Sequence, residues 1–195
     1  MSRARPEPDD LDAALRLEQK AYWALEHPEE IPPALHGLQR RLRLWSYPVR
    51  GTPRAWGLFL SSGEGRDDDR PRVREVAWNK QADTRRSSSP MRLLKRHPRP
   101  WPGPTIRVRD AEIFRADLQP FLDWAGRAEF QPLAGPDVPD EGDAQGIEGS
   151  GPLTHLKIQW RGQAPPALEE PAYWIEQLRR LLEGALDDRR RSESR

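Results

Sequence analysis

The stretch from Leu153 to Leu186 leaves this chain the least freedom. Leu156, Ile158 and Trp160 alternate with His155, Lys157 and Gln159. Successive side chains of an extended chain point to opposite sides, so the spacing predicts a strand with one apolar and one wetted face. Such a strand suits an antiparallel sheet covered on one side only. Arg161-Gly162 ends it, and Pro165-Pro166 blocks an immediate helix. Pro171 then fits a first helical turn, with Glu169 and Glu170 near the positive end of the helix dipole. Beyond it Trp174, Leu178, Leu181, Leu182 and Ala185 recur at helical spacing, while Glu176, Arg179, Arg180 and Glu183 fall on the other side. This amphipathic helix needs an apolar surface, and the Leu156/Ile158/Trp160 face is the nearest. Burying one such large side chain is worth about 1.5–3 kcal/mol.

Upstream, Asp9 or Asp10 caps a first helix whose stripe is Leu11, Ala14, Leu15, Ala21, Tyr22 and Leu25, stopped at His27-Pro28. Pro32-Pro33 opens a second, shorter helix with Leu35, Leu38 and Leu42 on one side. Gly37 weakens it, and residues 42–47 read equally as strand. Arg54–Leu60 and Arg72–Asn79 read as two strands of a hairpin across a Gly- and Asp-rich connection. A further strand begins at Thr105 and runs on through Phe114. Asp117 caps a helix that turns Leu118, Phe121, Leu122 and Ala125 inward, with Trp124 on its flank. Residues 80–104 and 127–152 read as long irregular loops, and 187–195 as a frayed charged tail.

The pattern predicts an α+β domain over residues 1–186, with a small antiparallel or mixed sheet of about four strands and helices packed on one face. Hydrophobic residues make up only 35% of the 195, against 32% charged, so the core is modest; eight Trp exclude wholesale disorder. Trp56, Trp78, Trp160 and Trp174 fit apolar faces and read as core.

Several chemistries are excluded or disfavoured. No Cys means no disulfide, thiolate or Cys-based zinc site. The four His show no i, i+4 metal spacing, and Asp67-Asp68-Asp69 sits in a hairpin tip where adjacent carboxylates point apart. No phosphate-binding glycine motif or nucleophile elbow occurs. No metal or cofactor is therefore expected, and no enzymatic activity is indicated. A net charge of +1 gives no global pull toward nucleic acid or membrane. No apolar run is long enough for a bilayer span, the N-terminus lacks a signal peptide's apolar stretch, and a cytoplasmic location is expected.

Charge segregation is the sharpest local feature. No acidic residue lies between Asp83 and Asp110, where Arg85, Arg86, Arg92, Lys95, Arg96, Arg99, Arg107 and Arg109 accumulate. Trp101 sits among them between two prolines. No Lys or Arg lies between Arg127 and Lys157, where acidic residues gather. The two segments either face each other or present separate surfaces. The reading that follows is a non-enzymatic binding protein of immunity-protein or adaptor type. Its candidate contacts are Arg85, Arg86, Arg92, Lys95, Arg96, Arg99 and Trp101, steering an acidic protein partner. The alternative is a single-stranded nucleic-acid binder using the basic 85–109 segment for phosphates and Trp101 for base stacking. No helix-turn-helix, zinc-finger or RNA-binding aromatic motif accompanies it.

Overall fold

A computed structural model describes residues 8–61, 70–87, 103–127, 142–150 and 155–193. In chain order they form α1 (Pro8–Glu26), β1 (Leu38–Tyr47), β2 (Arg54–Ser61), β3 (Arg72–Trp78), α2 (Lys80–Ser87), β4 (Ile106–Glu112), α3 (Arg115–Arg127), β5 (Ala144–Ser150), β6 (His155–Arg161) and α4 (Glu169–Glu193). The strands make one antiparallel six-stranded sheet in the order β4-β3-β2-β1-β5-β6. The class is α+β.

Two strands more than expected are present, each for an identifiable reason. The segment after Pro33 forms no α-helix: Gly37 takes a left-handed φ of 72° and turns the chain into β1. The alternation of β1 is imperfect in sequence because its register with β2 shifts between Arg40 and Leu42. The second addition is β5, within a stretch that reads as loop because Gly146 and Gly149 dilute its strand character. Gly146 is required there. Trp45 of β1 lies so close that a Cβ at this position would come within 2.3 Å of its ring.

Helices cover both faces of the sheet, not one. On the front face, Leu44, Trp56, Leu58, Val73, Ile147 and Ile158 meet Leu118 of α3 and Ile175, Leu178 and Leu182 of α4. On the back face, Ala21 and Leu25 of α1 pack on Trp45, Ala55, Val76 and Trp78. The one-sided expectation came from the wetted half of β6. The central strands β2 and β3 are buried on both sides; β2 meets this with a near-continuous apolar run, whereas β3 buries two charged residues, Arg74 and Glu75, among its apolar ones. Within the segment read as loop, residues 80–87 are helical. The expected tail continues α4 to Glu193, and Asp187 within it accepts a 2.8 Å hydrogen bond from Arg109.

Charge also organises this sheet. Along the β3/β4 ladder Arg72 faces Glu112, Arg74 faces Asp110 and Glu75 faces Arg109. Opposite charges across antiparallel strands stabilise the pairing. Arg74, fully buried on the back face, uses all five of its N–H donors. Nε and Nη2 hold the two Asp110 oxygens at 2.7 and 2.8 Å. The remaining donors reach the carbonyls of Pro28 (3.2 Å), Ile31 (2.6 Å) and Pro33 (2.6 Å). One guanidinium thereby fastens the connection after α1 to the sheet.

Candidate binding surface

Of the seven basic and aromatic residues picked from sequence, Arg85 and Arg86 fall on α2 and are exposed. Arg92, Lys95, Arg96, Arg99 and Trp101 lie outside the described residues, as does most of the acidic connection. The roots of the basic segment are built around one carboxylate. Asp83, almost wholly buried, accepts from Trp78 Nε1 (2.8 Å), the Thr105 backbone N–H (2.7 Å) and the Thr105 hydroxyl (2.6 Å). Arg86 joins by donating to Thr105 Oγ1 at 3.1 Å and lies 3.7 Å from Asp83. Burial alone would push the Asp83 carboxyl up. The Thr105 and Trp78 hydrogen bonds and the Arg86 charge outweigh it and hold the group below the usual carboxylate range. Asp83 thus clamps the first turn of α2 against the start of β4.

Arg107 and Arg109, which read in sequence as part of the basic run, point to the front face. There they meet Glu75, which is fully buried. Arg109 donates Nε to Glu75 and Nη1 to Asp187, and the Glu75 bond strengthens its hold on its proton. Arg54 closes the group from β2, 3.6 Å from both Glu75 and Glu183. These arginines are structural cations of the sheet–helix contact. Strand pairing brings the one β3 carboxylate, Glu75, to a run that carries none of its own.

An exposed feature that the sequence reading did not single out forms where α3 meets α4. Trp174 is wedged between two α3 rings: Phe121 edge-on at 5.5 Å and Trp124 stacked at 5.8 Å with 24° between planes. Tyr173 leans edge-on against Trp174 at 5.9 Å and is 60% exposed; Leu122 beside Phe121 is 40% exposed. Helix α3 is rolled relative to expectation, since Trp124 is buried and Leu122 faces solvent. The larger indole finds a stacking partner in Trp174, and such pairs add about 0.5–1.5 kcal/mol beyond their burial. Adjacent aromatics were the available signal. Tyr173 and Trp174 sit about 100° apart around α4, so a helix that buries Ile175, Leu178 and Leu182 cannot also bury Tyr173. The result is an aromatic ledge of Tyr173 and Phe121 around Trp174, on a Trp124 base, with Leu122 exposed on the same helix as Phe121.

Other exposed apolar rings have different partners. Phe114, before α3, has the Arg70 guanidinium 5.7 Å from its centroid, and Trp23 of α1 stacks on His27 at 5.1 Å. Among the described residues no group of three or more metal-ligating side chains gathers, and no helix is long and apolar enough to cross a membrane. Compared with protein-family models, curated proteins and solved structures, the chain matches none.

Proposed function

We propose that this chain is a non-enzymatic protein that works in the cytoplasm by binding another protein, as an immunity protein or an adaptor does. In this reading the partner seats on the α3/α4 ledge. The observation that carries it is Tyr173, which is largely exposed yet braced against Trp174, itself held between Phe121 and Trp124. Tyr is enriched among residues that dominate binding energy, and a braced ring loses little conformational freedom on contact. Leu122, next to Phe121 in α3, is a further exposed apolar side chain in the proposed contact. Arg85 and Arg86 add exposed positive charge that steers an acidic region of the partner.

Affinity capture from the native host tests the reading. The wild-type chain retains one partner in stoichiometric amount, and Tyr173→Ala combined with Leu122→Glu releases it while the chain stays folded, with only the small loss of stability that the Tyr173–Trp174 contact represents. Retention of that partner by the double variant overturns the assignment of the ledge.

A further inference from the structure

Helix α4 runs on past its apolar stripe. Leu186 is its last buried residue among those described, and Asp187 to Glu193 carry no apolar side chain. Burial therefore gives these last turns no reason to lie against the sheet. Polar contacts do: Asp187 accepts from Arg109 Nη1 at 2.8 Å, and Arg189 donates to the Asp110 carbonyl at 2.9 Å. Arg190 and Arg191 add favourable charge at the negative end of the helix dipole.

Both contacts fall on consecutive residues of the edge strand β4. Asn79 donates its backbone N–H to Thr105, and Ile113 donates its own to Pro71, in the same register as the β3/β4 ladder. Odd-numbered residues of β4 therefore bond to β3, and the Asp110 carbonyl points off the outer edge. On the front, Arg109 also holds Glu75; on the back, the Asp110 carboxylate holds Arg74. Arg74 in turn holds the carbonyls of Pro28, Ile31 and Pro33. We propose that residues 187–193 are a releasable ionic strap. Held, it fastens β4 at two adjacent residues and steadies the Asp110 that Arg74 depends on. Released, it loosens β4 and the 28–33 connection together, while Leu178, Leu182 and Leu186 keep the rest of α4 seated.

Exposure makes the strap the member that yields first. Asp187 and Arg189 are exposed, whereas Glu75 and Arg74 are sealed. Salt screens exposed charges and reaches buried pairs much less. Ionic strength therefore separates the strap from the ion pairs beneath it.

The test is amide hydrogen exchange on the full chain, wild type against Asp187→Ala/Arg189→Ala, with limited proteolysis beside it. Alanine is the best helix former, so faster exchange in the variant cannot come from lost helix propensity. At low salt the variant exchanges several-fold faster than wild type at residues 187–193 and at the Arg107, Arg109 and Ala111 amides. Cleavage between Pro28 and Gly37 rises with it, and the Leu44 amide of central β1 keeps its wild-type rate. Wild type at about 1 M salt, where screening acts within about 3 Å, behaves as the variant does at low salt. Faster exchange confined to 187–193 marks a frayed end and overturns the proposal. So do unchanged rates in the variant, a looser β4 without added cleavage, or acceleration at Leu44 as well, which marks general destabilisation.

Discussion

Glu75 on β3 stands directly across from Arg109 on β4, sealed from solvent, while Arg109 reaches on to Asp187 of α4. Three elements of the fold, a central strand, an edge strand and the closing helix, are joined through that one guanidinium. Glu75→Leu strands Arg54, Arg107 and Arg109 around a vacated carboxylate site. Breaking a buried pair from one side usually costs about 3–5 kcal/mol. Arg109 is 22% and Arg107 58% exposed and both retain some hydration, so a loss of about 2–4 kcal/mol is expected. Urea denaturation measures it. The double variant Glu75→Leu/Arg109→Leu recovers at least part of the loss, because no buried charge is then left alone.

Arg74→Lys tests the fastening of residues 28–33. An ammonium has three donors and no planar fork, so it cannot hold both Asp110 oxygens and the carbonyls of Pro28, Ile31 and Pro33 together. Leaving buried acceptors unpaired costs about 1–3 kcal/mol each before relaxation. The variant is expected to lose about 2–4 kcal/mol, with proteolytic cleavage between Pro28 and Gly37 appearing ahead of global unfolding.

Tyr47→Phe should be neutral or stabilising by up to about 1 kcal/mol, since its hydroxyl is buried without a partner. Burial is the main cause that raises the Tyr47 ionisation above the ordinary tyrosine range; Arg43 opposes it, and Glu26, Tyr22 and Glu148 add to the rise. A tyrosine held protonated in the fold contributes stability that is complete below its unfolded value of 10.0 and is lost as pH rises beyond it. The variant therefore unfolds at a higher alkaline pH than wild type, as ultraviolet absorbance titration would show.

Asp83→Ala leaves Trp78 Nε1 and both Thr105 donors without their acceptor and is expected to cost about 2–3 kcal/mol. Because the folded carboxyl sits below its ordinary value of 3.8, its stabilisation is present above that pH and fades as pH falls through the lower folded value. In Asp83→Asn the acid-dependent portion disappears, so the gap to wild type narrows in acid. Guanidinium denaturation at a series of pH values below neutrality reads both effects.

Much of this architecture was legible in the chain, and the failures share a cause. The alternation of β6, the hairpin of β2 and β3 and the stripe of α4 are local patterns that burial preserves. The identity of β1 was obscured by the register shift after Arg40, and that of β5 by a glycine whose reason, the Trp45 ring, lies about a hundred residues away. Position in the sequence also misled about charge. The run from Arg85 to Arg109 looks unopposed until pairing sets Glu75 across from Arg109. The ledge depends on the roll of α3, and that is set by Trp124 finding Trp174 rather than by anything local.

Photo-crosslinking in host cells tests the ledge most directly. Benzoylphenylalanine in place of Tyr173 samples the ledge, and the same residue in place of Phe114 samples an equally exposed ring outside it, 64% against 60% accessible. One discrete protein adduct from position 173, absent from position 114, is the predicted result. No protein adduct from position 173, or the same set of adducts from both positions, would contradict the account.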